Sequence, residues 1–185
     1  MLIICWLIKT IRESMLYLFP YFNFACICLT LYVLYQLWVI DMRYRLLPNV
    51  YVLAFANLGL LFHIFSLFIY DDMLSLAIGA CIGGGTLYVI RFVANWHYGR
   101  DTLGLGDVKL MAAAGLWLGQ DFTSIALVIG ALAGILHGLI EAWLHQKKTG
   151  KALNLAALEI PAGPGFIIGI VISALIKFVD PLIFA

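Results

Sequence analysis

Charge is what this chain has least of. Of its 185 residues only 11% are Asp, Glu, Lys or Arg, whereas 64% are hydrophobic, and the mean hydropathy is +1.04. A soluble domain carries roughly a quarter of its residues as charges, so a water-soluble globule is excluded and most of the chain must face lipid or other buried helices. The few charges balance to +1, which gives no basis for nucleic-acid binding or a polybasic surface. Cysteine is also scarce. Cys5, Cys26, Cys28 and Cys81 lie inside apolar segments and form no C-x-x-C pair, which argues against a zinc knuckle or dithiol motif and allows no disulfide to be inferred. Cys26 and Cys28, two apart, point away from each other on a helix and pack in the core or against lipid. No spacing of His, Glu and Cys forms a persuasive metal site, and no metal or cofactor is expected.

What is present is a series of apolar runs, at 19–40, 50–70, 73–94, 108–118, 122–145 and 165–185. About 20 residues cross the hydrocarbon core of a bilayer, and five of the runs reach that length. They predict an all-α, polytopic membrane bundle of about six transmembrane helices. The run at 108–118 is too short, so its helix is expected to start below the membrane surface, with Asp107 in a protein-lined recess. Lys and Arg are missing from alternate connections: Asp71–Asp72 and the Gly-Gln-Asp at 119–121 carry neither. Arg43, Arg45, Arg91, Arg100, Lys147, Lys148 and Lys151 occupy the others, which places those on the cytoplasmic side of an inner membrane. Residues 1–18 are too short an apolar run to span, and are read as an interfacial or targeting segment ahead of a domain at 19–185. Small-residue repeats at Gly79/Gly83, Gly130/Gly134/Gly138 and Gly165/Gly169 suit close helix packing.

Ionisable residues at membrane depth usually mark a working site. Asp41 closes the first run, at the electronegative pole of its helix; taken alone, it reads equally well as an interfacial carboxylate paired with Arg43 or Arg45 and as a working group. Asp107 precedes an apolar helix and, taken alone, is a plain N-cap. Gly104 and Gly106 need another explanation, because a cap requires neither; they let the backbone turn and let another segment pass close by. Together, two carboxylates on one membrane face can share a proton, one activating water as base while the other polarises a carbonyl. Such a pair titrates as a unit. The helix poles assign the charge to Asp107 and the proton to Asp41. His137 and Glu141, one turn apart on the fifth run, form a structural pair or a proton relay. The competing reading is therefore a small proton-coupled transporter or pilus assembly factor.

"GLGDVKL" at 104–110 resembles the G-x-G-D motif of intramembrane aspartyl proteases, and with "DMRYRLLPN" at 41–49 the chain resembles the type IV prepilin peptidase family. "IPAGPGF" at 160–166 is similar to that family's Pro-x-Gly-Pro segment, with Ala162 where Phe is common. The resemblance implies that Asp41 and Asp107 are the catalytic pair. It also implies hydrolysis of one peptide bond in a prepilin or pseudopilin, without a metal. The cut removes a short basic leader on the cytoplasmic side and serves pilus or secretion machinery. Supporting positions are Gly104, Gly106, Lys109, Asn49, Pro161, Gly163 and Pro164. Lys109, two residues beyond Asp107, points elsewhere on its helix and reaches lipid phosphate; Asn49 orients Asp41 or caps the second helix. The chain lacks the N-terminal domain with paired C-x-x-C motifs found in the long bifunctional members, so it resembles the short, peptidase-only branch serving Flp-type pili.

Overall fold

The computed structural model describes residues 2–99, 101, 103–149 and 162–183, with the side chains of 21–99, 101, 103–144, 146–147 and 162–178. Among these residues there is no strand, and the helices are α1 (Leu2–Tyr44), α2 (Asn49–Phe65), α3 (Met73–Tyr98), α4 (Leu105–Thr149) and α5 (Gly163–Ile183). The ends follow from local chemistry. Helix α1 stops where Arg45 turns left-handed, at φ 53°, its N–H closing back onto Asp41 O at 2.9 Å. Pro48, extended at φ −64°, precedes the first turn of α2, where a missing N–H costs nothing. Asp72 caps α3 by accepting from Ser75 N at 2.9 Å, and Gly99, left-handed at φ 64°, ends it.

Helix α1 is continuous from Leu2, so residues 2–18 share its axis with the first apolar run. The fourth and fifth runs are two helical arms of α4 that meet at Gly119 (φ 67°, ψ −175°), within the 119–121 connection expected from the sequence. A Cβ added to Gly83 would lie 2.2 Å from Met111 O and 3.1 Å from Thr123 Cγ2. A straight helix would hold residues 111 and 123 about 18 Å apart, so the chain folds back at Gly119 into a first arm, 105–118, and a second arm, 120–149. The bend needs no loop because a glycine reaches this φ without steric cost. The count of six crossings is not confirmed. By length and composition three stretches could span a bilayer, Tyr21–Tyr44, Met73–Tyr98 and Leu105–Leu144, while Asn49–Phe65 and Gly163–Phe178 are shorter apolar helices.

Packing runs through the glycines. A Cβ on Gly115 would lie 2.2 Å from Ala80 N, and one on Gly79 2.8 Å from Gly115 O, so α3 and the first arm meet backbone to backbone. Cβ atoms on Gly165 and Gly169 would fall 2.6 Å from Gly134 N and 2.4 Å from Ala126 O, joining α5 to the second arm in the same way. Such contact yields van der Waals attraction that lipid cannot match. The core between helices holds Leu37, Phe55, Leu76, Leu110, Met111 and Leu118, while large apolar side chains such as Tyr32, Val89, Phe92 and Leu132 point outward, as a lipid-facing surface requires.

Candidate active site

Helical register brings both acids inward. Among the described side chains of α1, Cys26, Thr30, Val33, Leu34, Leu37 and Asp41 are buried, a stripe at three- and four-residue steps that lies on one face. On the first arm of α4, Asp107 is buried with Leu110, Met111, Ala114, Trp117 and Leu118. Each aspartate therefore ends an apolar stripe that packs into the bundle. Asp41 is 3% exposed and Asp107 5%, and the two carboxyls lie within electrostatic reach of each other. Asp41 Oδ2 and Asp107 Oδ1 are both buried without a hydrogen-bond partner. A buried polar atom left so costs free energy, and in a native fold it calls for a functional account.

Asp107 lies in the first turn of α4, not at the cap position; its N–H donates to Gly104 O at 3.2 Å. Asp41 lies against the backbone N–H of Gly163, the first residue of α5. Both acids thus face the positive pole of a helix. The pole argument that separates base from acid counts only the helices that carry the two acids, and the approach of α5 to Asp41 removes the difference.

Of the expected supporting residues, Gly163 and Gly104 stand against the two carboxyls. A Cβ on Gly163 would sit 2.5 Å from Asp41 Oδ2, so only glycine fits there. Gly104 leaves room for the other acid, its Cβ position being 3.1 Å from Asp107 Oδ2. On Gly106 the same atom would meet Leu47 Cβ at 2.9 Å, so this glycine lets the α1–α2 connection cross the start of α4. Pro164 is fully buried; Pro161 lies outside the described residues. Lys109 Nζ donates to Asn49 Oδ1 at 3.0 Å. This corrects both earlier assignments. Lys109 reaches a partner in the protein, and the Asn49 side chain ties α2 to α4 and caps nothing.

The sequence reading missed the brace behind Asp107. Arg91 Nη1 donates to Leu103 O and Nη2 to Asp101 Oδ1 at 2.7 Å, while Asn95 Nδ2 donates to the same oxygen at 2.9 Å. The side chain of Arg91 is 16% exposed and that of Asp101 78%, so the ion pair is solvent-facing and the firmer anchor is the bond to the Leu103 carbonyl. It holds the loop leading into Gly104–Asp107. The available signal was an Arg and an Asp bracketing that loop. Replacing Arg91 with Ala is expected to free the Leu103 carbonyl and loosen the approach to Gly104, with a small drop in thermal stability read by melting in detergent.

Other expectations do not converge here. His137 Nε2 is buried without a hydrogen-bond partner, so that nitrogen does not pair with Glu141, and a proton path through the two gains no support. Cys26 is a buried free thiol; Cys28 and Cys81 are exposed ones. Among the described residues no three His, Cys, Asp or Glu side chains gather as a metal cluster.

The chain matches the model of the type IV leader peptidase family over residues 24–139. It is 33% identical over 117 residues to a prepilin leader peptidase/N-methyltransferase of Pectobacterium carotovorum subsp. carotovorum, covering 63% of this chain and 41% of that protein. It is similar to proteins of the same name from Pseudomonas aeruginosa, at 32% identity over 68% of this chain and 40% of the relative. A third, from Escherichia coli, is 33% identical over 68% of this chain and 52% of the relative. The chain therefore spans about half or less of the length of these relatives. No solved structure matches it.

Proposed function

From the premise that the chain belongs to the type IV leader peptidase family, we propose that it removes the leader from prepilin-like precursors, with Asp41 and Asp107 as the catalytic pair. In this reading residues 19–185 form the peptidase unit in the inner membrane, and the pair faces the cytoplasm, where the Lys- and Arg-bearing connections lie. The substrates are prepilins or pseudopilins bound for a pilus or secretion system. The observation that carries the reading is the convergence of two buried carboxyls from α1 and α4, each with an oxygen free of hydrogen bonds.

The chemistry runs through one shared proton. The ionised carboxylate takes a proton from water as its oxygen attacks the scissile carbonyl carbon, and the protonated partner donates a hydrogen bond to the carbonyl oxygen. Collapse of the tetrahedral intermediate breaks the C–N bond and delivers a proton to the departing amine. The two acids act as a unit, so no fixed role is given to either. Co-expression of a precursor with wild type, Asp41→Asn and Asp107→Asn tests the assignment. Retained leader in both variants supports it, and trimming at the wild-type rate by either removes that residue from the pair.

An open cavity of about 390 Å³ flanks the site, lined by Leu103, Gly130, Gly134, Gly138, Ala162 and Phe166 among others. It is apolar, lies beside the Gly163 end of α5, and is suited to an apolar residue following the cut. A Cβ on Gly134 would meet nothing within 4 Å, so a side chain there starts out into this space. Gly134→Leu is expected to raise KM about tenfold while leaving kcat within a factor of about two, the signature of lost substrate room. Unchanged KM would detach the cavity from substrate binding.

A further inference from the structure

At the far end of the first arm, about 18 Å from Asp107 along the helix axis, lies a second group of buried ionisable side chains. Lys177 of α5 is 7% exposed and His63 of α2 is fully buried. Lys177 Nζ donates to Asp71 Oδ2 and, at 3.3 Å, to Trp117 O. His63 Nε2 lies 3.1 Å from the same carbonyl; because a carbonyl only accepts, Nε2 carries the proton. Asp121 adds a further charge facing Lys177. Asp71 also accepts from Ser75 Oγ at 3.1 Å, and its Oδ1 comes within 2.6 Å of where a Gly119 Cβ would be.

The break in α4 explains the meeting point. Gly119 is not helical, so carbonyls at the end of the first arm lose their intrahelical donors. In an apolar surrounding each must find another, and the Trp117 carbonyl receives His63 from α2 and Lys177 from α5. The break also lies between two glycine-packed pairs, which otherwise meet where Gly83 of α3 touches Thr123 at the start of the second arm. Helix α3 with the first arm carries Asp107, and the second arm with α5 carries Gly163, against which Asp41 rests. Lys177 belongs to the second pair, and its partners Asp71 and Trp117 lie at the ends of the first.

We propose that Lys177, with Asp71 and His63, is a positioning clasp that joins the two packed pairs across the Gly119 break and thereby sets Asp107 against Asp41. Its kinetic consequence rests on the aspartic-peptidase reading given above; its geometric consequence does not.

The test pairs precursor kinetics with a distance measurement. Spin labels at Phe92 on α3 and Leu139 on the second arm, both exposed, are placed in a cysteine-free background. Lys177→Met is expected to broaden or shift the label distance and to lower kcat about tenfold with KM within a factor of about two, whereas Lys177→Arg keeps most of both. Lys177→Met leaves the Asp71 charge buried alone and so destabilises; should it fail to fold, Asp71→Asn/Lys177→Met decides. That double variant isolates no charge, so it regains thermal stability, yet stays low in kcat with a broad distance. A wild-type distance in the folded Lys177→Met protein, or kcat recovering together with stability in the double variant, overturns the clasp. If wild type trims no precursor, the peptidase reading fails while the label distances still decide the clasp.

Discussion

Asparagine at either Asp41 or Asp107 is expected to leave the precursor uncut while the protein remains folded. Asn matches Asp in size, but its amide neither accepts a proton from water nor donates the acidic proton that the partner role requires. General acid–base catalysis contributes roughly 10²–10⁴ in rate, and each acid serves in more than one proton transfer. A loss of at least about 10³ is therefore expected for each variant, or about 4 kcal/mol of transition-state stabilisation. The two losses should not add, because the pair works as one device. Stability should move little or rise. Both carboxyls are buried, each with an oxygen lacking a partner, and a neutral amide is cheaper to bury than a charge. Intact expression and melting with abolished cleavage is the expected joint result; a collapse of the fold would instead mark the acids as structural.

The second large effect comes from one methyl group. Gly163→Ala places a Cβ 2.5 Å from Asp41 Oδ2 and 3.0 Å from its Cγ. Neither distance is tolerable for non-bonded atoms, so the carboxyl must rotate away or the start of α5 must withdraw. A displacement near 1 Å at the reacting groups costs on the order of 10²-fold in rate, and that is the loss expected in kcat. The global fold should survive, since Gly163 is the first residue of α5 and the Gly165 and Gly169 contacts with the second arm remain. Gly134→Ala, which adds the same methyl where nothing lies within 4 Å, is the matched control and should be nearly silent. Equal activity of the two alanine variants would mean that Asp41 does not need the space beside Gly163.

Much of the site was legible because its signals are local. Asp107 stands among glycines at the head of an apolar helix, and Asp41 stands a few residues ahead of Leu-Pro-Asn. The register of α1, with burial at Cys26, Thr30, Leu34 and Leu37, was also open to a period count. The contacts between distant segments were not. Lys109 and Asn49, 60 residues apart, were each assigned a lone role and turned out to bond to one another. His63 meets a backbone carbonyl freed by the break in α4, a partner that no spacing of side chains reveals. Arg91 was read only as a marker of membrane side, yet it braces the loop before Asp107.

By itself the sequence determined the solvent and the class of fold. A chain with so little charge and such long apolar runs must satisfy its backbone internally, and helices do this within each segment. It also determined that two acids stand at helix ends, because hydropathy and helical period act over neighbouring residues. Only the tertiary structure decided how the segments meet: that α5 brings an N-terminal amide to Asp41, and that Lys177 finds Asp71 and Trp117. Those outcomes depend on which glycine faces admit another backbone, a property of surfaces distant along the chain that no local pattern encodes.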